Sequence, residues 1–149
     1  MVRINVSNLN GKRRIDNKGV IRLVRFVLKR HHIPKNSDIN IVFVGSDEIK
    51  RLNKRFRGKN RQTDVLCFCL FEGMDFIDIR GRFRTDIFIS SDTARRNSKR
   101  FGNTYKDEID LYVIHGLLHM IGYRDHDKKR FRAMDKRQRE LLRKYKGKE

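Results

Sequence analysis

Four short runs of this chain carry the apolar and β-branched residues of strands: VRINVS (2–7), DINIVFVG (38–45), TDVLCFCLF (63–71) and TDIFIS (85–90). Helical patterns alternate with the strand-like runs and then fill the C-terminal third. Such an order limits the chain to a small mixed sheet packed with helices, an α+β fold in a single domain over residues 1–149. At that length the domain buries a core without needing covalent staples.

Each run carries its own signal. VRINVS alternates apolar and polar residues, whereas TDVLCFCLF is almost continuously apolar and predicts a strand buried on both faces. The looser EGMDFIDIRGRFR (72–84) predicts a surface loop or flap before the fourth strand. In the 19–30 segment, Val20, Val24, Val27 and Leu28 share one helical face. Ser46 is the expected cap of the next helix, with Asp47 and Glu48 in its first turn and Gly58 past its end. SDTARRNSKRFG and KDEIDLYVIHGLLHMIG read as two further helices, stopped by Gly102 and Gly122, and a last element spans about 127–144.

Charge narrows the partners. Lys and Arg number 37 against 18 Asp and Glu, a formal charge of +19, and a field of that sign and size attracts polyanions, nucleic acids or anionic membranes first among them. No run approaches the ~18 consecutive apolar residues of a membrane span. MVRINVSNLN lacks the apolar centre of a signal peptide, so a soluble, cytoplasmic protein is expected. Cys67 and Cys69 are expected to be buried thiols in a reducing compartment, neither joined as a disulfide nor holding zinc by themselves.

Chemistry concentrates in HGLLHMIGYRDHD, residues 115–127. On a helix His115 and His119 lie one turn apart on one face and can grip one ion. Gly116 leaves room beside the first ligand, and Gly122 turns the chain so that a following residue can complete an open zinc site of three protein ligands and one water. Gly116 also stands where an H-E-x-x-H peptidase has its glutamate, which disfavours that chemistry.

These motifs resemble those of the YbeY endoribonuclease family. His115, Gly116, Leu118, His119, Gly122 and Tyr123 match its H-G-x-L-H-x-x-G-Y-D-H pattern. FRGKNRQTDVLCFCL and TDIFISSDTARRNSKRFG are similar to two upstream family segments, and the likeness runs over about 39–143. Cys67 and Cys69 stand where the family has Ser and Pro, and Thr85 where it has Gly. GYRDH stands in place of GYDH, which leaves two candidates for the third ligand. The ungapped register, supported by Met134 nine residues on, selects Asp125; a one-residue insertion would select His126.

The resemblance implies a zincin-like metal-binding helix holding one zinc ion per chain. It further implies hydrolysis of single-stranded RNA, in rRNA maturation and ribosome quality control. His115 and Arg57 are then the catalytic residues, Arg57 clamping the scissile phosphate while Lys59 and Arg61 steer the RNA backbone. Phe56 and Tyr123 are expected to pack in the core rather than stack on a base. Two other functions compete: an RNA- or ribosome-binding module with a structural metal, and a zinc hydrolase of a non-RNA substrate.

Overall fold

The computed structural model describes residues 2–33, 36–69 and 83–147. Its strands are β1 (Arg3–Asn8), β2 (Ser37–Val44), β3 (Val65–Cys69) and β4 (Phe83–Ser90), and its helices are α1 (Asn17–Leu28), α2 (Ser46–Arg57), α3 (Ser91–Phe101), α4 (Tyr105–Ile121) and α5 (Lys128–Lys146). The strands form one mixed sheet in the order β1-β2-β4-β3. β1, β2 and β4 run parallel, and β3 lies antiparallel against β4.

The alternation along β2 explains how helices come to lie on both faces of the sheet. Ile39, Ile41 and Phe43 point into the main core, where they meet Ile87 and Ile89 of β4 and the apolar faces of α1, α4 and α5. Val42 and Val44 point the other way, into a smaller cluster with Ile49 of α2, Leu66 and Phe68 of β3, and Phe88 of β4. α4 lies at the centre of the main core, with Ile109, Tyr112, Val113, Ile114, Leu117, Leu118 and Met120 all buried. Gly116 lets it come close to the sheet: a Cβ there would stand 2.6 Å from Cγ2 of Ile87.

Several local expectations need correction. β3 is an edge strand among the described residues, and of its residues 65–68 only Leu66 is fully buried; the apolar run serves a surface groove as well as the core. Gly45, not Ser46, is the cap residue of α2, and Ser46 instead donates its backbone N–H to Asp92 of α3 at 3.0 Å. Residues two apart share a face of a strand, and Cys67 is disulfide-bonded rather than a free thiol. The expected flap at 72–84 falls outside the described residues except for Phe83 and Arg84, which open β4. Among the described residues, no helix is long and apolar enough to cross a membrane.

Candidate metal centre

His115 and His119 sit on the last two turns of α4, and the way that helix ends decides what joins them. Gly122 takes φ 120°, a conformation that side chains disfavour, and donates its N–H back to the carbonyls of Leu118 and His119 at 3.1 Å each. Arg124 then folds over the helix end, its guanidinium donating to the carbonyls of His119 (3.2 Å) and Tyr123 (2.9 Å). A cation there also complements the negative end of the helix dipole. The turn carries Asp125 back over the histidines before Asp127 caps α5 by accepting the N–H of Arg130.

Hydrogen bonding orients both rings. Nδ1 of His115 is 2.9 Å from Oε1 of Gln138 on α5, and Nδ1 of His119 is 3.1 Å from the carbonyl oxygen of Tyr123. Both partners accept, so each Nδ1 carries the proton and each Nε2 presents a lone pair. The two Nε2 atoms face each other at 3.1 Å, and Oδ2 of Asp125 lies 3.9 Å from the first and 3.5 Å from the second.

Three lone-pair atoms converging without a proton between them repel one another, and a cation relieves that repulsion. Ligands at ~2.0–2.1 Å from a tetrahedral zinc are about 3.3 Å apart, close to the observed spacings. Burial holds the His119 imidazole below its ordinary value of 6.5, the neighbouring His115 works in the same direction, and the Asp125 carboxylate opposes them. The neutral ring that results is the form that ligates metal. Among the described residues, these three form the one group able to hold an ion, and the donor set suits it.

His126 stands apart. Its Nε2 is 3.2 Å from a guanidinium nitrogen of Arg130 and 3.5 Å from Oδ2 of Asp127, and the side chain is exposed. The structure therefore brings Asp125, rather than His126, to the two helical histidines.

His119, Arg124 and Asp125 line one side of an open groove of ≈ 870 Å³, shared with Arg57, Lys59 and Arg61. Those three cations follow from the way α2 stops. Gly58 takes φ 70° as the left-handed cap, and the chain turns back over Asn53. Asn53 is buried and bonds this turn from both ends, accepting the N–H of Lys59 on its carbonyl at 3.3 Å and donating Nδ2 to the carbonyl of Arg61 at 3.0 Å. Arg57 donates to the carbonyl of Cys67 at 2.8 Å, on the edge strand.

Sequence reasoning missed Gln138, Arg124 and Asn53. Gln138 gave no signal, being 23 residues from His115 and one polar side chain among many on α5. Arg124 was visible only as a departure from the family pattern. Asn53 had a legible hint, a polar residue on the apolar stripe of α2 with Ile49 and Leu52.

Two imidazoles on one helix and a carboxylate from the next turn form a group that could hold a metal ion, beside a cationic groove, an arrangement of the kind hydrolases of anionic substrates use. The family model for Endoribonuclease YbeY matches residues 5–146, and the chain belongs to that family. It is 37% identical over 110 residues to Endoribonuclease YbeY of Lacticaseibacillus casei, covering 72% of each chain. The Bacillus subtilis protein of the same name is 33% identical over 84% of this chain and 83% of its own. That of Syntrophus aciditrophicus is 34% identical over 93% of this chain and 87% of its own. A protein from Thermotoga maritima, solved in solution, superposes with a TM-score of 0.59 at 28% identity, covering 99% of this chain and 93% of that one.

Proposed function

We propose that residues 1–149 form one metal-dependent hydrolase domain, a zinc-dependent, single-strand-specific endoribonuclease acting on rRNA or ribosomal particles in the cytoplasm. Membership of the Endoribonuclease YbeY family supports cleavage within an RNA chain. The observation that carries the reading is the convergence of His115, His119 and Asp125, two of which, His119 and Asp125, line one groove with Arg57, Lys59 and Arg61.

His115, His119 and Asp125 are the residues that would hold the ion. Zinc bound there supplies Lewis acidity to a phosphoryl oxygen and to water. Gln138 and the Tyr123 carbonyl fix the two imidazoles in the ligating tautomer, and Arg124 fixes the turn that delivers Asp125. Arg57 presents a planar donor fork to the scissile phosphate, a geometry that lysine does not offer. Lys59 and Arg61 hold neighbouring phosphates, so that the backbone lies along the groove. The charge of +19 raises the local concentration of RNA whatever its sequence.

The test is incubation of zinc-loaded protein with a structured RNA bearing a single-stranded tail, beside His115→Ala and Arg57→Ala. The expected result is cutting within the tail, lost in both variants, with zinc lost only from His115→Ala. RNA that is bound and never cut while zinc stays tight would favour a binding module with a structural metal.

A further inference from the structure

Four large hydrophobic side chains are exposed among the described residues, Leu9, Phe56, Phe101 and Phe131, and of these only Phe56 lines the groove. Phe56 is 56% exposed on the last turn of α2, where a core role was expected. Tyr123, the other aromatic considered for stacking, is half-buried and packs against the main core.

The exposed ring is held in place. Phe56 meets Phe68 edge-on at 5.3 Å, and Phe68 meets Phe88 in the same way at 5.7 Å, a row of rings that runs into the smaller core cluster. Guanidinium groups accompany the row, Arg55 at 5.3 Å from the Phe56 ring and Arg57 at 5.7 Å from that of Phe68. An anchored aromatic face between cations, in a groove that also reaches His119 and Asp125, matches the two halves of a nucleotide: a flat base and an anionic phosphate.

We propose that Phe56 is the stacking platform for one unpaired nucleobase of the RNA, with Arg57 taking a phosphate beside it. The inference rests on the proposed RNA substrate and deepens it, because it supplies the selectivity for single strands. Phosphates are present in single and double strands alike, so Arg57, Lys59 and Arg61 cannot distinguish the two by charge. Within a duplex both faces of a base are covered by its neighbours. Only an unpaired base has a face to lay on Phe56. Every base has such a face, so the preference is for strandedness and not for sequence.

The chain contains no tryptophan, so Phe56→Trp keeps an aromatic face and adds a single indole reporter at the site. The probes are a fluorescein-labelled 2′-O-methyl oligoribonucleotide, the same strand in a blunt duplex, and the same strand with abasic residues. Anisotropy reads binding and indole emission reads stacking, with Phe131→Trp on α5 as the exposed control. The single strand is expected to quench the indole at position 56 saturably, with the same midpoint as the anisotropy. Duplex and abasic strands should bind without quenching, and the control should stay bright. Phe56→Ala should weaken single-strand binding by roughly 5- to 150-fold, leaving duplex binding and metal content unchanged. Single-strand binding with an unquenched indole and an unaltered Phe56→Ala affinity would overturn the stacking role and leave the RNA reading standing. If neither strand nor duplex binds, the RNA reading itself falls.

Discussion

Substituting Gly116→Ala tests whether the helix that carries His115 and His119 is held against the sheet by close backbone approach. Two opposing effects set the magnitude. In a helix interior Ala is favoured over Gly by about 0.8–1 kcal/mol, so propensity alone predicts stabilisation. The added Cβ, however, would stand 2.6 Å from Cγ2 and 3.2 Å from Cδ1 of Ile87, a fully buried residue of the central strand β4. Overpacking of that kind costs about 1–3 kcal/mol. Taking about 2 for the clash against about 1 for propensity leaves a net loss near 1 kcal/mol, a fall in Tm of about 2–4 °C for a chain this long.

Truncating the neighbour should reverse the sign. Ile87→Ala alone is expected to lose about 2–5 kcal/mol through the cavity. In that background Gly116→Ala fills space and gains propensity, a stabilisation of about 1 kcal/mol, so the coupling across the pair is about 2 kcal/mol. The assay is urea unfolding of the four proteins in chelator, which keeps metal binding out of the comparison. A Gly116→Ala protein more stable than wild type by the full propensity gain would refute the close approach.

Three further outcomes concern the site and its supports. Gln138→Leu removes the acceptor that orients His115, and metal affinity in a competition titration should fall about 10- to 100-fold with the fold intact. An unchanged affinity would mean that His115 needs no such partner. Asn53→Ala frees the turn carrying Lys59 and Arg61; it should cost about 1–3 kcal/mol of stability and weaken RNA binding without loss of metal. Loss of metal instead would show that the turn and the metal centre are one unit. Burial pushes the Asp92 carboxyl up, but bonds from Ser46, Asn10 and Arg13 outweigh it and hold the pKa below 3.8. A depressed folded pKa gives stability that is complete above the unfolded value and is lost as pH falls through the folded one. Urea midpoints from about pH 6 to about pH 3 should therefore drop in wild type and flatten in Asp92→Asn, and equal slopes would refute the assignment.

The elements were legible because their signals are local. β-branched runs, an apolar stripe on α1, and Gly58, Gly102 and Gly122 past helix ends placed strands and helices within a few residues of where they lie. The strand order was not legible, since nothing in TDIFIS says that it inserts between β2 and β3. Nor was the edge position of β3, because an apolar run reads alike whether it faces a core or a groove. At the site, the spacing of His115 and His119 carried the pairing of the rings, a consequence of helical periodicity. The third candidate ligand depended instead on the path of the turn after Gly122. GYRDH offers two ligand types in succession, and only the fold of Arg124 over the helix end brings Asp125 to the rings and leaves His126 near Arg130. Phe56 was misjudged for a related reason: an aromatic at the end of an amphipathic helix has no local mark that separates core from rim.

Asp125 as the third ligand is tested by comparing metal content with RNA cleavage in Asp125→Ala and His126→Ala. Native mass spectrometry of each zinc-loaded protein gives the ions bound per chain, and the tailed RNA gives the cutting. Asp125→Ala is expected to lose the ion and the cleavage together, while His126→Ala keeps both. Loss of metal and cleavage from His126→Ala, with Asp125→Ala still loaded and active, would contradict it.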